Sequence, residues 1–162
     1  MDRADRLVQI VDAAMAEAVR KGGAWIACRP GCWQCCIGPF PIARSDAARL
    51  REGLAALQTG DPARAEAIRR RAAHFLALDE AAADEEPCPA LDPAAGTCDL
   101  YAYRPITCRT FGPAVSLGGE AAGICELCFQ GATEEEIAGC TVDIDADFEP
   151  EDAETSVARA VL

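Results

Sequence analysis

One histidine, His74, is all that this 162-residue chain holds, so a centre built on several imidazoles is excluded. Basic residues are also scarce. Fifteen Lys and Arg against 27 Asp and Glu leave a net charge of −12, a field that repels phosphate backbones and argues against a nucleic-acid partner. No apolar run approaches the roughly 18 residues of a membrane helix, and Asp2, Asp5, Asp12 and Glu17 interrupt the first segment. Neither a membrane span nor a secretory signal is expected. Catalytic signatures are missing too, with no nucleophile elbow, HExxH, GxGxxG or P-loop pattern in the chain. These absences point to a cytoplasmic protein with reduced thiols, and away from an enzyme of any class that such motifs mark.

What the chain does hold is sulfur. Of its ten cysteines, eight form a dense set, Cys28, Cys32, Cys35, Cys36, Cys88, Cys98, Cys108 and Cys125, opening with CRPGCWQCC. An all-sulfur shell suits tetrahedral zinc and iron-sulfur clusters and excludes hard, oxygen-loving cations. A disulfide framework fits less well, because those scaffolds are usually secreted and shorter, and a chain of this length can bury a core without bridges. If Pro30 opens a helical turn, Cys32, Cys35 and Cys36 stand at i, i+3 and i+4, three sulfurs on one face whose thiolate form the helix dipole favours. The adjacent pair Cys35 and Cys36 points further. Neighbouring side chains diverge by about 100° on a helix and oppose each other on a strand, so a polynuclear cluster or two separate sites is favoured over a lone ion. Cys32-x2-Cys35 lacks the strand-then-helix context of a redox dithiol. The spacings match neither a bacterial ferredoxin nor a zinc ribbon.

The periodicity places helices before the second half of the cysteines. Leu7, Val8, Ile10, Val11, Ala14, Met15, Ala18 and Val19 predict an amphipathic helix that stops at Gly22-Gly23. Ser45 is a plausible cap for a second helix carrying Leu50, Leu54 and Leu57. Asp61-Pro62 combines a capping acceptor with proline at the first helical position, and sets Ile68, Ala72, Phe75 and Leu76 on a buried stripe. From Pro87 onward prolines, glycines and cysteines break the periodicity, and Asp92-Pro93 with Ala95-Gly96 marks a reversal between extended pieces. Arg104-Pro105 predicts one helical turn bearing Cys108 and Arg109. Thr133 and Glu136 make a capping box.

The motif blocks CRPGCWQCC, CPALDPAAGTCDLYAYRPITCRTFG and ICELCF together resemble the CxxCxxCC cysteine-cluster family, the YkgJ-type zinc- or iron-chelating domain. Cys88-Pro89, Leu91, Cys98, Tyr101, Arg104-Pro105, Cys108 and Arg109 match its CPxL, CxxY and RPxxCR elements, while the leading CxxxC is one residue longer than the family's CxxC. The resemblance implies metal chelation by the eight cysteines, with zinc or an iron-sulfur cluster as the cofactor. A similar cluster accompanies an iron-sulfur centre in flagellin lysine methylases, whose catalytic body has no counterpart here. Cys128 and Cys140 look additional to the family's eight.

The remaining features read more plainly. His74 is expected as a surface or packed residue and not as a ligand, Tyr101 and Tyr103 in the packing of the small lobe, and Arg104 and Arg109 as hydrogen-bond donors near Cys108 or partners of carboxylates. The arginines from Arg44 to Arg71 and the ten acidic residues between Thr133 and Glu154 read as solvated faces. Asp143, Asp145, Asp147 and Glu154 hold calcium-loop offsets, but Phe148 stands where that loop needs glycine. The expected fold class is α+β, mainly α, with helices packed on a small irregular cysteine-rich metal-binding lobe. It is read as one domain over 1–162: an N-terminal helix in 1–23, a metal-binding core in 24–130 with a helical insertion at 45–83, and an acidic segment in 131–162. Metal ions are the expected partners. A structural metal-binding module is the leading function, followed by an iron-sulfur redox or accessory enzyme component and a thiol-based metal carrier or sensor.

Overall fold

The structure, a computed structural model, describes residues 3–144 and 155–162. The stretch 145–154, with most of the calcium-loop offsets and much of the acidic segment, lies outside the described residues. In chain order the helices are α1 (Arg3–Gly22), α2 (Arg44–Gly60), α3 (Pro62–Ala77), α4 (Glu80–Glu85), α5 (Ile106–Arg109), α6 (Glu134–Cys140) and α7 (Val157–Ala160). Short strands fall between them: β1 (Pro41–Ile42), β2 (Leu91–Asp92), β3 (Thr97–Cys98), β4 (Val115–Leu117), β5 (Glu120–Ala121), β6 (Val142–Ile144) and β7 (Thr155–Ser156). The fold class is α+β, mainly α, as expected. No helix among the described residues is long and apolar enough to cross a membrane.

Two compact units divide the chain, unit 1 from Met1–Arg29 and Ile106–Glu149, unit 2 from Pro30–Pro105 and Pro150–Leu162. In unit 1 the apolar stripe of α1 buries Val8, Val11 and Ala18 with Ile106, Val115 and Ile144, while Val19 faces solvent. Strand β4 pairs antiparallel with β5 and parallel with β6, in the order β5-β4-β6. Arg109, buried on the predicted turn after Pro105, donates to both oxygens of Asp12 at 2.8 Å and so fixes α5 against α1. The Thr133–Glu136 capping box forms at the start of α6 as predicted.

Unit 2 is a helical hairpin of α2 and α3 closed by α7. Asp61 ends α2 and caps α3 through the Arg64 N–H, as its pairing with Pro62 predicts. Leu50 and Leu54 from α2, Ala65, Ile68 and Ala72 from α3, and Val157, Ala160 and Val161 near the chain end share one buried cluster. Residues 155–162 therefore belong to the core of this unit. Strand β7 pairs antiparallel with β1. Two helix details depart from expectation. Ala43, not Ser45, holds the cap position of α2, without a side-chain hydrogen bond. Leu76, on the last turn of α3, is 39% exposed, so the expected buried stripe stops at Phe75. Asp79 then caps the separate helix α4.

Candidate metal centre

The candidate ligands fall into both units. Cys32, Cys35, Cys36, Cys88 and Cys98 lie in unit 2; Cys28, Cys108 and Cys125 lie in unit 1 with Cys128 and Cys140. All ten thiols are unbridged.

In unit 2, Pro30 does not open a helix. Gly31 takes a φ of +87°, a left-handed conformation that glycine adopts freely, so Pro30-Gly31 forms a tight turn and the helical face expected for Cys32, Cys35 and Cys36 does not exist. A second turn follows, in which the Cys36 N–H donates to the Trp33 carbonyl at 2.8 Å. Cys35 and Cys36 lie outside any helix or strand, and each thiol shifts the proton affinity of the other. Backbone pairing then brings in the next stretch of chain. The Cys88 N–H donates to the Cys36 carbonyl at 2.7 Å, and the Gly38 N–H to the Glu86 carbonyl at 2.8 Å. The predicted reversal at residues 92–96 folds β2 onto β3 in the register Leu91↔Cys98, and the Leu91 N–H reaches the Cys88 carbonyl at 2.9 Å. Backbone pairing thus sets three cysteine-bearing segments, distant in sequence, beside one another.

Electrostatics follow from that convergence. The Cys36 hydrogen bond, assisted by the Cys35 N–H and the Arg104 guanidinium, lowers the Cys35 thiol to about 6. Cys36 is pushed the other way by its bond to Cys35, by burial and by the charges of Cys35, Cys88 and Cys98. Burial raises Cys88 to about 11 against opposing hydrogen bonds from the Ala90 and Leu91 N–H groups, and it raises Cys98 against one from Leu100. Such N–H···S bonds favour thiolate, the ligating form.

Arginines support this group in a way that charge counting did not anticipate. Arg71 donates to the Pro89 carbonyl and to Asp99, both at 2.8 Å, and Arg64 stands 3.4 Å from the other Asp99 oxygen. Asp99 follows Cys98 directly and its side chain is 4% exposed, so two members of the arginine-rich helix pin the hairpin that presents Cys88 and Cys98. The available signal was their spacing: positions i and i+7 share a helix face. Arg104 lies 3.6 Å above the exposed Tyr101 ring and acts on Cys35 and Cys98. Tyr103, in contrast, packs over Gly53. His74 is exposed and 3.5 Å from Glu86.

In unit 1, the Cys28 and Cys128 sulfurs are 3.9 Å apart. Four thiolates about 2.3 Å from a common zinc would be about 3.8 Å from one another. The Ala27 N–H points to the Cys128 sulfur at 3.4 Å, and a Cβ on Gly112 would come within 2.9 Å of the Cys28 sulfur. Cys125 and Cys128 are buried in one apolar cluster and joined by a 2.8 Å turn hydrogen bond. Phe129, next in the chain, is held at a φ of +57°. Cys108 is half-buried on α5, and Cys140 donates to the Lys21 carbonyl at 3.4 Å. Cys128, set aside on sequence grounds, is therefore the neighbour of Cys28; its place after the Cys125-x2 spacing was the signal.

A family model, CxxCxxCC, described as a putative zinc- or iron-chelating domain, matches residues 27–136, which is most of the chain. The chain belongs to the CxxCxxCC family. No curated protein and no solved structure matches it. Metal binding is the property this family description supports, and thiols with backbone N–H donors beside them, as at Cys88 and Cys98, are chemically suited to it. Among the described residues, no three His, Cys, Asp or Glu side chains are drawn to a common point as in a preformed cation cage.

Proposed function

We propose that this CxxCxxCC domain is a thiolate metal-binding module that holds zinc or an iron-sulfur centre, with the metal chiefly structural. The observation that carries the reading is the backbone pairing that sets Cys36 beside Cys88 and folds the strand of Cys98 onto Leu91, three residues after Cys88. Cys28, Cys32, Cys108 and Cys125 complete the proposed set of eight ligands, and Cys128 joins it on the strength of its approach to Cys28. When bound, the metal supplies cross-links between segments otherwise joined by two-residue strands and turns, so its ligation energy is also folding energy. Around it, Ala90, Leu91 and Leu100 hold thiolate through their N–H groups, Arg104 offsets negative charge, and Arg71 fixes the hairpin. Reduced thiols of this kind suit a cytoplasmic setting.

Anaerobic purification followed by elemental analysis and a visible spectrum tests the proposal. Zinc alone, or iron with matching sulfide, is the expected result; protein that carries neither refutes it. The exposure of Cys28 and Cys35 favours a second reading, a metal carrier or sensor. That reading predicts metal lost within seconds to a competing chelator, where a structural centre resists.

A further inference from the structure

Away from the cysteines, unit 2 carries a groove of about 250 Å³ lined by Arg51 of α2, Arg69 of α3 and Arg159 of α7. Leu54, Ala55 and Val161 supply its apolar wall, and Leu54 and Val161 are buried in the core of the unit, which fixes the shape of the groove. In a chain of net charge −12 a lining of three arginines runs against the overall field. Other arginines have carboxylate partners: Arg20 meets Glu17, Arg71 meets Asp99 and Arg109 meets Asp12. In the groove, Arg69 meets the Gln58 side-chain oxygen and stands 3.8 Å from Glu66. Among the described residues, Arg51 and Arg159 pair with no carboxylate. Guanidinium groups brought from three helices to one groove, two of them unpaired, form an anion-recognising arrangement.

We propose that this groove binds a small organic anion with a carboxylate or phosphate head and a short apolar body. The planar fork of arginine matches either head by paired N–H···O bonds, and Leu54, Ala55 and Val161 match an aliphatic body. The volume lies below the roughly 300–1,000 Å³ typical of drug-sized ligand pockets, which limits the body to a few carbons. This inference is independent of the metal reading.

The test is a titration of the full chain, as purified, with butyrate, butyl phosphate and inorganic phosphate at constant ionic strength, followed by amide NMR shifts. Saturable shifts at Ala55 and Val161 with butyrate or butyl phosphate are expected, and the ligand that saturates identifies the head group. Inorganic phosphate binding as tightly as butyl phosphate would overturn the assignment of an apolar body. The double variant Arg51→Gln/Arg159→Gln should weaken binding by about tenfold or more. Arg70→Gln, on the same helix as Arg69 but exposed and outside the groove, should change it less than about twofold. No saturation by about 10 mM, or equal loss in Arg70→Gln and the double variant, overturns the proposal.

Discussion

Replacing Asp99 with alanine removes the anchor that positions the hairpin of Cys88 and Cys98. The Asp99 carboxylate is 4% exposed and its Arg71 partner 29%, so this is a largely desolvated pair. Removing one member of a fully buried pair costs about 3–5 kcal/mol, because the surviving charge loses its partner. Arg71 keeps the Pro89 carbonyl and some water, which reduces the cost to about 2–3 kcal/mol. The Arg64 contact is longer and its side chain is 51% exposed, so screening leaves it under about 1 kcal/mol. For a chain of this size the loss corresponds to a fall of about 4–12 °C in melting temperature. Urea unfolding followed by circular dichroism, on metal-loaded and metal-stripped protein, measures it. Asp99→Ala should be the severe change and Arg64→Ala the mild one. Equal effects, or an Asp99→Ala variant within about 0.5 kcal/mol of wild type, would refute the clamp.

Other predictions follow from the same geometry. In metal-free protein, alkylation of Cys35 should rise with a midpoint near pH 6, and Cys36→Ala should move that midpoint toward the ordinary thiol value; an unmoved midpoint would deny that Cys36 lowers Cys35. The depressed Cys35 pKa adds stability from about pH 6 upward, complete above the unfolded value of 9.0, and lost as pH falls through 6. Cys88, raised to about 11, acts in the opposite sense: its contribution is complete below 9.0 and lost as pH rises toward 11. Gly53→Ala sets a Cβ 2.5 Å from the Tyr103 ring and should destabilise by about 1–3 kcal/mol in thermal unfolding. Cys128→Ser should lower the metal content found by native mass spectrometry, and Cys140→Ser should leave it unchanged.

Much of this arrangement is legible in the sequence where a local rule dominates. Asp61-Pro62, the Thr133–Glu136 box, the turn at residues 92–96 and the helical turn after Pro105 all form where their residue chemistry places them. The stripe of α3 is readable up to Phe75 and stops short of Leu76, one residue before the helix ends, and Asp79 then caps a separate helix. CRPGCWQCC reads as a helix by thiol spacing alone, but Gly31 takes a left-handed turn and the helix does not form. The role of Asp99 and the pairing of Cys28 with Cys128 escape local rules entirely, since each joins residues far apart in sequence through tertiary contacts.

The central claim is that thiolates gathered around Cys36 hold a metal on which the fold depends. Elemental analysis and thermal unfolding of the Cys88→Ser/Cys98→Ser variant beside wild type, each with and without chelator, test it most directly. The expected result is a wild type that carries zinc or iron and melts lower once stripped, and a variant with reduced metal that melts near the stripped wild type. A variant with full metal content, or a stripped wild type that melts unchanged, would contradict the claim.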